Sequence, residues 1–146
     1  MGKESKKVII GIVAKHREED KDLIRQDSRI RDEVKQAVFD NGGIAIGILS
    51  PNEKVQMAGD DWLIYEKFLD KENIIKQIEL CDGIILQGGN TNESYEPFIA
   101  RYCYENDIPC LGICACQNSI ARALNGTIGK VKNPEKHDSS FDNYVH

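Results

Sequence analysis

Short β-branched runs alternate along the chain with segments whose apolar residues recur every three or four positions. KVIIGIVA, residues 7–14, is a continuous apolar run bounded by charge, which predicts a strand buried on both faces. In DSRIRDEVKQAVFDNGG, Ile30, Val34, Ala37 and Val38 fall at helical spacing, with Asp27 or Ser28 placed to cap the start and Asn41-Gly42-Gly43 to end it. IAIGILSP predicts a second strand closed by Pro51. Residues 52–70 are polar with scattered aromatics and predict a loop with a short helix. KENIIKQIEL then reads as a helix and DGIILQGG as a third strand running into two glycines. SYEPFIARYCYEND reads as a helix entered near Pro97, with Ile99, Cys103 and Tyr102 inward. IPCLGI is a fourth strand and ACQNSIARALNG the helix after it, followed by a polar tail in which FDNYVH looks like the start of another strand.

This β-α alternation predicts one α/β domain over residues 1–146, with a parallel sheet and helices on both faces. Ligands of such sheets bind beyond the carboxyl ends of the strands. The loops after Ala14, Gln87 and Ile113 meet at that edge.

The chain has 146 residues, 40% hydrophobic and 29% charged, which is enough for a core. Its net charge of −5 argues against nucleic acid or an anionic membrane as partner. No apolar run approaches a membrane span. The first residues lack the pattern of a cleaved leader, and Lys7 stands where a myristoylation signal requires Ser or Thr. Five cysteines, an odd number, predict reduced thiols and a cytoplasmic protein. No CxxC pair and no histidine at ligand spacing supports a metal site.

PCLGICACQNSIARALNG, residues 109–126, places Cys114 on the corner between a strand and a helix. A side chain on so sharp a turn stands clear of the backbone, at a helix N-terminus whose free N–H groups favour a thiolate and can hold an oxyanion. Such a turn needs small neighbours. Gly112 and Ala115 comply, and Cys116 stands where a second glycine is expected. Gly88 and Gly89 end a strand at the same edge and let backbone N–H groups approach a ligand. Cys81, Cys103 and Cys110 read as core residues. Cys116 reads as a small structural residue, with a redox or metal role beside Cys114 as the alternative.

DGIILQGGNTNESYEP followed by IPCLGICACQNSIARALNGTIGKV resembles the class I glutamine amidotransferase-like superfamily, above all its gamma-glutamyl hydrolase branch, which includes gamma-glutamyl-gamma-aminobutyrate hydrolase. KVIIGIVA and AVFDNGGIAIGILSP also resemble that branch's first two strands, so the resemblance runs through nearly the whole chain. It implies a flavodoxin-like three-layer α/β/α sandwich, no cofactor, and a small gamma-glutamyl or glutamine-like ligand. By the same resemblance Cys114 is the nucleophile that forms a thioester, and the N–H of Ala115 with that of Gly88 or Gly89 forms the oxyanion hole.

The chain departs from the family pattern in two places. Cys116-Gln117-Asn118 replaces the family's glycine, apolar residue and glutamine, as a one-residue deletion would produce. The family's catalytic histidine and acid lie further downstream than this sequence extends, and His137 and His146 resemble a different segment. The expectation is a truncated or naturally short form, completed by a second copy or a partner chain. His16, at the same sheet edge, is the remaining candidate to pair with Cys114. Two other functions fit the residues: a non-catalytic amidotransferase-like binding module, and a thiol sensor in which Glu93 or Glu96 neighbours the reactive sulfur.

Overall fold

The computed structural model describes residues 5–16, 27–50, 61–89, 92–129 and 132. Four strands form one parallel sheet: β1 (Ile9–Val13), β4 (Ile44–Ile48), β5 (Gly83–Leu86) and β6 (Cys110–Gly112), in the order β4-β1-β5-β6. Each follows a predicted apolar run. Two short strands, β2 (Lys15–His16) and β3 (Ser28–Arg29), pair antiparallel beyond the carboxyl end of β1.

Side chains alternate between the two faces of the sheet. On one face Val13, Ile48, Ile84 and Leu86 pack against three helices, α3 (Lys71–Ile78), α4 (Tyr95–Glu105) and α5 (Cys116–Ala123). In α3, Ile74 and Ile78 are fully buried one turn apart, each contributing about 2 kcal/mol by removal from water. Asp70 caps this helix by accepting from the Asn73 N–H at 3.2 Å. In α4, Pro97 sits in the first turn, where no helical donor is required, and Ile99 and Cys103 point inward as predicted.

The other face carries α1 (Asp32–Asp40), with Ile30 placed over Gly47. A hollow of about 540 Å³ lies between Val38 on α1 and Ile10 and Ile85 on the sheet. On β6 this face is open, and Leu111 is 56% exposed. The short helix α2 (Trp62–Glu66) lies within the region read as a loop with a helix; residues 52–60 of that region are outside the described residues, as are FDNYVH and both His137 and His146. Arg101 on α4 is joined to Glu66 of α2, stacks over Trp62, and so holds α2 to the body.

The start of α1 differs from expectation. Neither Asp27 nor Ser28 caps it: Ser28 is in β3, and the cap position is Arg31 without a side-chain bond. Gln87 explains the difference. Its amide accepts from the Arg31 N–H at 2.8 Å and donates to the Arg29 carbonyl at 2.9 Å and the Val13 carbonyl at 2.7 Å. Residues 29–31 are thereby held extended against the end of β1, and the helix begins only at Asp32.

A second glutamine ties the opposite edge of the sheet. Gln77 on α3 accepts from the Leu49 N–H and donates to the Leu49 carbonyl, both at 2.7 Å, just past the end of β4. No helix among the described residues is long and apolar enough to cross a membrane.

Candidate active site

The parallel order of β1, β5 and β6 brings the segments after Ala14, Gln87 and Ile113 to one edge, as the sequence predicts. Cys114 stands between β6 and α5, exposed, with φ +53. A left-handed residue with a side chain costs about 1–2 kcal/mol, so packing on both sides of the corner has to hold it. Bonds from the Cys116 N–H to the Ile113 carbonyl at 3.1 Å and from the Gln117 N–H to the Cys114 carbonyl at 3.0 Å wind the chain from the corner into α5. Gly112 lies beneath: a β-carbon there would meet the Ile120 side chain at 2.5 Å and the Cys116 carbonyl oxygen at 3.0 Å. Gly88 closes the corner from the other side. Its φ is +76, and a β-carbon would sit 2.6 Å from the Ile113 carbonyl oxygen and 3.1 Å from the Cys114 β-carbon. Glycine is required here because the loop's backbone rests on the elbow itself.

Cys116 is fully buried, in keeping with its reading as a structural residue. Its Sγ donates to Glu96 Oε1 at 3.3 Å. Burial, then the Glu96 carboxylate, push this thiol up to about 12. None of the N–H groups of Gly88, Gly89 and Ala115, the expected donor set, makes a backbone bond among the described residues.

Glu96 is the hub of a buried polar cluster that the sequence reading raised only as a neighbour of the reactive thiol. Its carboxylate pairs with Lys15 Nζ at 3.1 Å, accepts from Ser119 Oγ at 3.0 Å and Cys116 Sγ at 3.3 Å, and accepts from the Glu93 N–H at 3.1 Å. Burial pushes the Glu96 carboxyl up, and the Lys15 ammonium opposes that shift. The acid therefore joins β2, the start of α4 and the first turns of α5, and it touches Cys116 and not the exposed Cys114.

His16 is occupied beside it. Its Nδ1 is 3.3 Å from Glu93 Oε2, its backbone N–H donates to Glu93 Oε1 at 3.2 Å, and its ring lies against Tyr95. The structure thus seats His16 on Glu93 and shows no bond from it to Cys114. Tyr95 donates its hydroxyl to the Ala14 carbonyl at 2.6 Å; burial and the two carboxylates push that phenol up. Among the described residues no group of three or more His, Cys, Asp or Glu could hold a metal ion.

A lysine after a strand ordinarily reaches solvent, so the sequence alone does not mark Lys15 as buried. The available signal was two adjacent basic residue types, Lys15-His16, following a fully apolar strand, matched by two acids three apart, Glu93 and Glu96, at the entrance of a helix on the same edge. Arg29, Arg31 and Gln87, with Lys15, His16, Gly88 and Gly89, line a narrow recess between the β2–β3 ladder and the glycine loop.

Comparison with known proteins agrees with this geometry. Residues 60–143 match the family model described as Glutamine amidotransferase class-I. CTP synthase of Chlamydia trachomatis serovar L2 is 45% identical over 47 residues, which is 31% of this chain and 9% of that protein. CTP synthase of Chlamydia muridarum gives the same identity and coverage, and that of Syntrophus aciditrophicus is 40% identical over 63 residues, 38% of this chain and 12% of that protein. The chain thus spans only about a tenth of the length of these relatives. With the family model covering more than half of the sequence, and a parallel α/β sheet that places a cysteine on the strand–helix corner, the chain belongs to the class-I glutamine amidotransferase family.

Proposed function

We propose that Cys114 is the nucleophile of a site that cleaves a gamma-glutamyl amide, in glutamine or in a small gamma-glutamyl compound. The observation that carries this reading is the corner: an exposed thiol at φ +53, at the start of a helix, with Gly88 packed against its β-carbon. Nothing in packing requires a strained, solvent-facing cysteine at that place.

In the proposed reaction the Cys114 thiolate attacks the amide carbonyl carbon. The N–H of Ala115, with that of Gly88 or Gly89, would hold the tetrahedral oxyanion. Collapse expels ammonia or an amine, which takes up a proton, and leaves a gamma-glutamyl thioester on Cys114. Water cleaves the thioester, releasing the acid and restoring the thiol. Gamma-glutamyl hydrolysis is preferred to a synthase partner role because the resemblance in LQGGNTNESYEP and in the first two strands runs toward the hydrolase branch. Arg29 and Arg31 border the recess beside Gly88 and Gly89 and supply positive charge for a glutamyl carboxylate.

A diazoketone analogue of glutamine, applied at neutral pH and read by intact mass, tests this. One rapid adduct is expected on the wild-type chain, and none at that rate on Cys114→Ser. Slow labelling spread over several cysteines, unchanged in Cys114→Ser, would overturn the assignment.

A further inference from the structure

Gln87 follows β5, immediately precedes Gly88, and is buried. An amide side chain offers an acceptor oxygen and two N–H hydrogens. In Gln87 all of these are used: Oε1 takes the Arg31 N–H, and Nε2 gives one hydrogen to the Val13 carbonyl and one to the Arg29 carbonyl. Two carbonyls and one N–H around the amide leave it a single orientation.

This clasp decides how two arginines are presented. On a helix, residues two apart point to different sides. On an extended chain they share one side. By holding residues 29–31 extended and delaying α1 to Asp32, Gln87 sets Arg29 and Arg31 on one side of the segment and Ile30 on the other, over Gly47. Both arginines border the recess that also meets Lys15, His16, Gly88 and Gly89. The two other basic side chains there are seated on acids, Lys15 on Glu96 and His16 on Glu93. Arg29 and Arg31 have no ion pair among the described residues. At about 10 Å³ the recess takes only the tip of a ligand, so a carboxylate meets the arginines at its mouth.

We propose that Gln87 is a positioning residue for substrate selection: its carboxamide converges Arg29 and Arg31 on the α-carboxylate of a glutamyl group, so the site prefers gamma-glutamyl compounds that carry this carboxylate over those that lack it. The inference rests on the reading above that a glutamyl group occupies the site, and it does not require Cys114 to react. Gln87 itself touches no substrate atom; it works through the two guanidinium groups, which supply the charge-assisted bonds. Gly88, the next residue, rests on the Cys114 corner. The same stretch of chain thereby ties the carboxylate end of the site to the reacting end.

The test uses the full chain carrying Cys114→Ser, titrated in two-dimensional NMR with L-glutamate and with 4-aminobutyrate, which is glutamate without its α-carboxylate. L-Glutamate is expected to bind at least about ten-fold more tightly. Adding Gln87→Met, which keeps the side chain's length and removes all three bonds, should bring the two ligands level by weakening glutamate alone. Arg31→Gln should act in the same direction, and combining it with Gln87→Met should add little. A Gln87→Met chain that weakens both ligands alike would show a merely structural residue and overturn the proposal, as would a glutamate preference that survives the substitution or is absent from the start. Circular dichroism shows whether Gln87→Met folds. If it does not, the Cys114→Ser chain decides: L-glutamate must shift the Arg31 N–H and the Gln87 carboxamide protons, 4-aminobutyrate must not, and any other pattern overturns the proposal. Rapid labelling of Cys114 in the wild-type chain, with a preference that ignores Gln87, would leave the nucleophile assignment standing and remove this one. Failure of that labelling, with a preference that depends on Gln87, would do the reverse.

Discussion

The two ends of the same four-stranded sheet are built differently. At the carboxyl end the chain buries charge: Lys15, Glu93 and Glu96 are enclosed together, a cysteine is held in the left-handed region, and a glycine touches the corner with no room for a side chain. At the amino end the polar groups are on the surface. Asp82 accepts from the Ile9 N–H at 2.8 Å in an exposed position, and Gly42, with φ +78, turns into open space. Apolar packing alone would be satisfied by the second arrangement. The first carries the added cost of taking charge out of water.

Paired substitutions, one from each end, measure that contrast. The largest effect is expected from Glu96→Gln, which removes the buried charge that Lys15, Ser119, Cys116 and the Glu93 N–H share and should cost about 3–5 kcal/mol in chemical denaturation. Asp82→Asn, which removes one exposed acceptor charge, should cost less than about 1 kcal/mol. Adding Lys15→Met to Glu96→Gln should recover part of the loss. If Glu96→Gln and Asp82→Asn cost the same, the buried cluster is not what holds the carboxyl end together.

The next effect sets two glycines of nearly equal φ against each other. Gly42→Ala carries only the backbone penalty, about 1 kcal/mol. Gly88→Ala adds collision with the Ile113 carbonyl and should cost about 3 kcal/mol, with loss of the rapid Cys114 adduct. Equal unfolding midpoints for the two variants would show that the loop does not rest on the elbow.

The smallest effect has the opposite sign. Cys114→Gly relieves a left-handed side chain and should stabilise the protein by about 1 kcal/mol while abolishing labelling. Asp107, at φ +54 before β6, is of a type that tolerates this region better, so Asp107→Gly should gain less and label normally. A Cys114→Gly variant less stable than the parent would mean that the thiol itself contributes packing.

The sheet and most of its helices were legible because their signals are local. IIGIV, GIIL and the Ile74–Ile78 spacing each declare an element within a few residues. The corner was legible for the same reason: Gly112 and Ala115 flank Cys114, and Gly88-Gly89 ends the preceding strand. The β2–β3 ladder was not, because it pairs Lys15 and His16 with Arg29 and Ser28, and a distant glutamine amide holds its far strand in place. The Lys15–Glu96–Cys116 cluster was hidden for a related reason. Charge in a sequence reads as solvated, and only the folded order of three strands shows that these groups share one enclosed volume.

Gln77 has a consequence for self-association. An outer strand of a sheet exposes N–H and C=O groups that can template the same groups of another molecule. By meeting both backbone groups of Leu49 with a single carboxamide, Gln77 imitates the next residue of a neighbouring strand and fills the first rung past β4 with a side chain. Strand-by-strand growth across that rung would have to displace two short bonds before gaining one, whereas the β6 border carries no such plug among the described residues.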